Sequence, residues 1–309
     1  MRTSMYQPPK SASLHWHLKL FLLCICATAV FATAQPPANP LDQPIQQDVL
    51  PAGWKVFPTP AEGSDVMHCA NFAQQQQVSL SDTGVLQIVQ LPRRASPIPP
   101  PELPPGANSM PGMTGGMSGF ESVLKVQNGW LLGFDQGEFG GGLSFVDVSG
   151  KATQLYQENV RGFVETSQGV MVFTGVAHLT IDEGRVLIAH NPVTADSKLE
   201  TLAPLDGAPE TFTKISPDAA LVVTTHGISR ITSSGEHQPL THSKFAILYP
   251  NSIVVTPDAT IYVGMRLFVV RLVPTSKPGG YTEQWLVPED CEQLRMEGYT
   301  CSCSSKSQD

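Results

Sequence analysis

The chain has 309 residues, of which 41% are hydrophobic and 15% are charged, and its formal net charge at pH 7 is −8. Such an acidic chain is a poor partner for nucleic acid or for an anionic membrane surface. Its 27 prolines and 26 glycines disfavour a mainly helical fold.

The N-terminal segment is typical of a secretory signal peptide. Lys10 and Lys19 precede an apolar run, Leu20 to Phe31, and Ala32 and Ala34 occupy the small-residue positions of a cleavage site. The apolar run is shorter than the roughly 20 residues of a membrane span. We therefore expect residues 1–34 to be removed and the mature protein to be exported, to the periplasm or the extracellular space. Lipid attachment at Cys24 is disfavoured because the residue before it is Leu23.

The mature chain is more acidic than the whole sequence. The 19 basic residues include Arg2, Lys10 and Lys19 of the signal segment, so 16 remain against 27 acidic residues, a net charge of −11. Residues 35–51 predict a proline-rich, extended lead. Residues 52–290 predict a repeat domain, interrupted at 93–119 by a loop rich in proline and glycine. Residues 291–309 form a cysteine-containing tail.

Four cysteines remain after cleavage: Cys69, Cys291, Cys301 and Cys303. In an oxidising compartment an even number of cysteines predicts disulfides, and four allow three pairings. A bridge between Cys301 and Cys303 would close a very tight loop, so we favour two bridges that tie down the tail, one of them reaching Cys69. The alternative is a metal site of Cys291, Cys301 and Cys303 with His68 and Cys69, although C-x-C is not the usual zinc spacing.

A repeat of about 40 residues runs through the chain. Similar lines around a tight turn read KVQNGWLLGF, ETSQGVMVFT, KISPDAALVV and VVTPDATIYV, with a further copy in SLSDTGVLQIV. Runs of Val, Ile, Thr and Phe follow each turn and are typical of antiparallel strands. Repeats of this length built from short strands predict an all-β fold, a β-propeller of about five or six four-stranded blades. A β-sandwich is the weaker alternative, because it needs no such period.

The pattern PDxxhhV…GhxRh, where h is an apolar residue, resembles the blades of NHL-type and two-component-regulator-type propellers and of the related sugar-lactonase superfamily. The resemblance extends from Phe120 to Pro288 and operates at the level of single blades. It implies a propeller without implying a particular activity, because unrelated functions share such blades. No catalytic pattern of these families carries over to residues of this chain.

In a propeller, the loops that enter each inner strand share one face with the loops that join the second strand to the third. The candidate ligand-binding residues predicted for this face are Glu121, Arg161, Glu210 and Asn251 from the first set of loops, and Asp135, Glu138, His178, His226 and Arg266 from the second.

The loop FDQGEFGGGLSF, residues 134–145, is the richest of these segments. Its carboxylates could bind calcium, its glycines could approach a sugar or a peptide, or the loop could be a tight connection with solvated acids. Asp135 and Glu138 could also act as a general acid and base. The histidines of the repeat domain form no HExxH motif or other close pair that would bind a metal.

Three functions remain open at this point. The leading hypothesis is a secreted or periplasmic binding module that recognises a protein or a polar small molecule at one face of the ring. It needs no cofactor and no catalytic residues. The runner-up is a metal-dependent hydrolase or lyase of the lactonase type, for which Asp135, Glu138, Glu210 and Asn251 would have to converge on one cation. The third is a structural domain of an envelope assembly.

Overall fold

The computed structural model describes residues 50–93, 120–291, 293–296 and 299–302, all within one structural unit. The predicted signal peptide, the lead up to residue 49 and the loop from residue 94 to 119 lie outside the described residues. The same holds for Cys303.

One helix and 21 strands form the described fold. In chain order they are β1 (Trp54–Phe57), α1 (Asp65–Phe72), β2 (Gln75–Leu80), β3 (Leu86–Leu91), β4 (Phe120–Val126), β5 (Gly129–Asp135), β6 (Gly141–Asp147), β7 (Ala152–Tyr156), β8 (Val160–Glu165), β9 (Gly169–His178), β10 (Ile181–His190), β11 (Leu199–Leu205), β12 (Pro209–Ser216), β13 (Ala219–Thr224), β14 (Gly227–Thr232), β15 (His237–Thr241), β16 (Ser252–Val255), β17 (Ile261–Gly264), β18 (Val269–Pro274), β19 (Tyr281–Pro288), β20 (Gln293–Met296) and β21 (Tyr299–Ser302).

The strands form consecutive antiparallel sheets, as the repeat predicts. Sheet I is the hairpin β2–β3, sheet II is β4 to β7, sheet III is β8 to β11, sheet IV is β12 to β15, and sheet V is β16 to β19. The first strands of sheets II, III, IV, V and I lie next to one another in that order. This is the β-propeller architecture with four-stranded blades. Sheet I departs from the prediction, because it has two strands within the described residues.

All five copies of the repeat fall at equivalent places. Each predicted turn joins the first strand of a sheet to the second, from the β2–β3 turn at Asp82 to the β16–β17 turn at Asp258. In the last of these, the Asp258 carboxylate accepts hydrogen bonds from the Thr256 hydroxyl and from the Thr260 backbone N–H at 3.3 Å. These bonds hold Ala259 at a φ of 63°. Such a turn is formed by its own few residues, so it does not depend on the sequences of the strands on either side.

Each sheet buries its faces against its neighbours. One apolar cluster joins sheets II and III through Leu131 and Val172, and the next joins sheets III and IV through Phe173 and Val222. Because β13 is covered on both faces, all six of its residues are buried, and the first five of them form a continuous apolar run instead of an alternating one. Each fully buried Leu, Val or Phe contributes about 1.5–3 kcal/mol to folding, so the stacking of sheets holds the fold together.

The N-terminal part of the described chain completes sheet V. Strand β1 pairs antiparallel with β19, with Phe57 opposite Trp285. The first strand of the described chain is therefore the fifth strand of sheet V. Trp285 is buried against Phe268, with ring centroids 5.1 Å apart. The segment around Cys69 forms no strand. That segment is the helix α1, which packs Met67 and Ala70 onto the core of sheets IV and V. No helix in the described residues is long and apolar enough to cross a membrane.

Candidate functional site

One face of the ring gathers the segments that the sequence marked as functional. Because the strands alternate in direction, the loops β5–β6, β9–β10, β13–β14 and β17–β18 lie on the same face as the connections that enter β8, β12 and β16. We call this the upper face. The turns between first and second strands, and those between third and fourth strands, lie on the opposite, lower face.

The centre of the upper face is a bridged charge cluster. Arg161, at the start of β8, forms ion pairs with Asp135 from the end of β5 and with Glu210 from β12, the latter at 3.2 Å. Its Nε donates to the Pro209 carbonyl at 3.0 Å. The Asp135 side chain is only 4% exposed. A single guanidinium therefore joins sheets II, III and IV, and its bidentate geometry suits two carboxylates on either side.

The glycine-rich loop after Asp135 is fastened to sheet III. Gly137 and Gly140 have φ values of 59° and 94°, which favour glycine, and the short 3-10 turn between them brings the loop back to β6. Asn159 donates from Nδ2 to the Gly137 carbonyl at 2.7 Å, and its Oδ1 accepts from the Gln136 N–H at 3.2 Å. A Cβ on Gly141 would lie 2.5 Å from Asn159. These glycines therefore serve the close approach of two sheets.

Arg266 and Asn251 lie further round the face, near α1. The Arg266 guanidinium stacks on the Tyr249 ring at 3.6 Å and donates from Nη1 to the Asn71 side-chain oxygen at 2.6 Å. Burial lowers the pKa of Arg266, and the charge of Arg93 lowers it further, while Tyr249 and Glu210 act in the opposite direction. Asn251 donates from Nδ2 to Gln75 Oε1 at 3.1 Å, a contact between sheets V and I.

Two histidine–carboxylate pairs bridge adjacent sheets at the periphery of the upper face. His178 Nε2 lies 3.1 Å from Glu138 Oε2, and His226 Nε2 lies 2.8 Å from Asp182 Oδ2. Asp182 is itself held by the Ala208 N–H and the Thr225 hydroxyl, each at 2.8 Å from its Oδ1. These contacts fix the β9–β10 hairpin, which carries both His178 and Asp182, between sheets II and IV.

Outside this polar framework, large apolar side chains point into solvent. Leu179, at the tip of the β9–β10 hairpin, is 91% exposed, and Phe139, next to Glu138, is 73% exposed. Ile181 and Tyr249 on the same face are about half exposed. Leu179 and Tyr249 also have φ values of 54° and 53°, in the left-handed region that non-glycine residues rarely adopt. The upper face thus combines a rigid polar base with apolar tips.

The arrangement does not suit calcium. Asp135 Oδ1 accepts from the Gly137 N–H at 2.7 Å, and its other oxygen is bound by Arg161. Glu210 is bound by the same arginine. Glu138 and Asn251 are held by His178 and Gln75, so the four residues proposed for a cation do not converge on one point. Within the described residues, no group of three His, Cys, Asp or Glu side chains is placed to hold a metal ion. As for an acid–base pair, Asp135 is bound by Arg161 and Glu138 lies beside His178.

The remaining predicted residues are placed as follows. Glu121 lies in β4, but its side chain is outside the described residues. Cys69 is buried in α1, Cys291 is half-buried after β19 and packs against the same core, and Cys301 lies in β21. Sequence reasoning missed Asn71, Asp182 and Tyr249, because no motif surrounds them and their partners are far away in sequence.

Comparisons with known proteins gave similar folds at low sequence identity. No protein-family model matches the sequence, and no curated protein matches it. Similar solved structures include the computationally designed Ika8 protein, at 13% identity and a TM-score of 0.35, over 68% of this chain and 54% of that chain.

Two further structures are similar at the same level. The extracellular domain of BT4673 from B. thetaiotaomicron, described as a one-component system, shares 12% identity at a TM-score of 0.39, over 74% of this chain and 29% of that chain. Luciferin-regenerating enzyme shares 11% identity at a TM-score of 0.35, over 60% of this chain and 71% of that chain. The chain therefore spans about half of Ika8 and under a third of the BT4673 chain, and these scores carry no functional argument.

Proposed function

We propose that the protein is an exported binding module that recognises a protein partner through the upper face of its propeller. The observation that carries this proposal is the exposure of Phe139 and Leu179 on two loops that the contact between Glu138 and His178 holds together. Exposed apolar groups on a polar, rigid base are typical of protein-recognition sites. The strained backbone of Leu179 supports the proposal, because a leucine that costs stability and buries nothing in its own fold calls for another explanation.

The polar groups of the same face support binding more than catalysis. Asp135, Arg161 and Glu210 bind one another, and Glu138 and Asp182 each hold a histidine of the neighbouring loop. Such contacts make the face rigid, so that little conformational entropy is lost when a partner binds. The runner-up, a metal-dependent hydrolase, requires carboxylates that converge on a cation, whereas Asp135 and Glu210 converge on the guanidinium of Arg161.

Affinity capture from the secreted or periplasmic fraction tests this proposal. The wild-type protein is compared with Phe139→Ser and Leu179→Asn, which change exposed side chains and leave the ion pairs intact. Val148→Asn is the matched control, since Val148 is 78% exposed on the lower-face turn between β6 and β7. We expect each upper-face variant to weaken capture of the partner about tenfold or more, as loss of an apolar anchor does. Equal capture by all four proteins would refute the proposed face.

We also propose that disulfides hold the C-terminal tail on the propeller, which accords with export to an oxidising compartment. The tail hairpin β20–β21 lies against α1, and α1 carries the buried Cys69 while β21 carries Cys301. One bridge from Cys69 to a tail cysteine and a second from Cys291 would fasten the hairpin at two points. Peptide mapping of the unreduced protein tests this. Four free thiols in protein purified from its native compartment would contradict it.

A further inference from the structure

A pair of arginines on the upper face differs from the other charged groups there. Arg266 lies in the β17–β18 loop, and Arg93 follows β3. Each guanidinium stacks on an aromatic ring, Arg266 on Tyr249 at 3.6 Å and Arg93 on Phe72 at 4.6 Å. Both residues lie beside Gln75, which forms an antiparallel bridge with Arg266 and binds the backbone carbonyl of Arg93. In keeping with this, the charge of Arg93 lowers the pKa of Arg266, which burial already lowers.

The surroundings hold both arginines in position. Asn71 accepts from Arg266 Nη1 with its side-chain oxygen at 2.6 Å and its backbone carbonyl at 2.9 Å. The buried Gln75 donates from Nε2 to the backbone carbonyl of Arg93 at 2.7 Å, and Gln75 is in turn bound by Asn251. Neutral groups of α1 therefore hold the Arg266 guanidinium, and Gln75 of sheet I holds the backbone of Arg93.

What the pair lacks is an acceptor that carries charge. The Nε atoms of Arg93 and Arg266 are both buried without a hydrogen-bond partner, and neither residue forms an ion pair with a carboxylate of the described residues. Arg161 on the same face shows the contrast, because it binds two carboxylates. Glu210, whose charge also acts on Arg266, is bound by Arg161. Buried donors without partners are unfavourable, and two like charges side by side repel each other.

We propose that Arg93 and Arg266 form a binding site for an oxyanion, a carboxylate or phosphate group that bridges the two guanidiniums. The planar fork of a guanidinium matches both groups through paired, charge-assisted hydrogen bonds. An anion between the two side chains supplies acceptors to the buried Nε atoms and cancels the repulsion. This site goes beyond the proposed function, since a small anion can bind here whether or not Phe139 and Leu179 contact a protein.

Thermal-shift and calorimetric titrations of the full mature chain test this site, with inorganic phosphate and succinate as the probes. Sodium chloride keeps the ionic strength constant, so that screening alone gives no signal. We expect saturable binding of at least one probe by the wild type. Binding of phosphate alone indicates a phosphoryl ligand, and binding of succinate alone indicates a carboxylate, such as an organic acid or an acidic side chain of a partner.

The variants assign any binding to the pair. Arg93→Gln and Arg266→Gln should each weaken binding at least about tenfold, the loss expected for a charged hydrogen bond. Arg230→Gln is the matched control, because Arg230 also has a buried Nε without a partner but lies beside Glu236 at 3.9 Å. If Arg266→Gln does not fold, Arg93→Gln decides the question, since among the described residues the Arg93 side chain forms no hydrogen bond or ion pair and stacks on Phe72.

Two results would overturn the proposal: no saturable binding of either anion by the wild type, or unchanged binding by Arg93→Gln. Phe139→Ser serves as a further comparison, and it should bind the anion as the wild type does. If neither anion binds, the proposed protein contact at Phe139 and Leu179 is unaffected, because the capture experiment tests it separately.

Discussion

Replacement of Leu179 by asparagine should stabilise the protein and weaken its recognition of a partner. Leu179 has a φ of 54°, and this left-handed conformation costs a residue such as leucine about 1–2 kcal/mol. Asparagine tolerates this conformation, since its side chain bonds locally to the backbone. Because Leu179 is 91% exposed, its apolar burial contributes only about 0.2 kcal/mol to folding. The expected gain from Leu179→Asn is therefore about 1 kcal/mol.

Urea unfolding followed by circular dichroism measures this gain. The urea concentration at the midpoint of unfolding should rise, while the m-value, the slope of the unfolding free energy against urea concentration, stays constant. The melting temperature should rise by about 2–4 °C for a domain of this size. Val148→Asn is the control, because Val148 is also exposed but is not among the residues with positive φ. It should change stability by less than about 0.5 kcal/mol. A loss of stability in Leu179→Asn equal to or larger than that in Val148→Asn would refute the strain argument.

Two further predictions concern the fold. Phe57→Ala should lower the free energy of unfolding by about 3 kcal/mol, because Phe57 is 9% exposed and packs on Phe268. The control is Val56→Ala in the same strand, where the side chain is 50% exposed and the loss should be under about 0.5 kcal/mol. Equal losses for the two variants in urea unfolding would show that β1 does not complete sheet V. The second prediction concerns His237, whose pKa is lowered by burial, against an opposing effect of Asp206. At pH values between the pKa of His237 in the folded protein and its pKa in the unfolded chain, the unfolded chain therefore binds more protons. The free energy of unfolding should therefore fall as the pH drops below about 6.5, the ordinary histidine value, and His237→Gln should show a smaller fall; identical pH profiles for the two proteins would exclude this cause.

The propeller could be predicted from the sequence because its signal is local and repeated. Each Asp or Gly turn between first and second strands, such as the one at Asp218, is set by neighbouring residues and recurs at nearly constant spacing. The helix α1 escaped notice because its eight residues make barely two turns, too few for a helical period to show. Its position in the core depends on sheets IV and V, which are distant in sequence.

The sequence indicated which residues share the upper face, but not which of them bind one another. The topology put Asp135, Arg161 and Glu210 on one face, but which groups pair depends on contacts across sheets, such as the one between Arg161 and Glu210, 49 residues apart. The carboxylates therefore looked available for a cation although an arginine binds them. Leu179 gave no signal, because its turn has none of the Gly, Asn or Asp residues that mark hairpins.

Site-specific photo-crosslinking tests recognition at the upper face most directly. A photoreactive amino acid replaces Leu179 in one protein and Val148, on the lower face, in another, and both proteins are irradiated in the compartment where the protein resides. We expect a discrete crosslinked protein from position 179 and none from position 148. The same products from both positions, or products from position 148 alone, would contradict it.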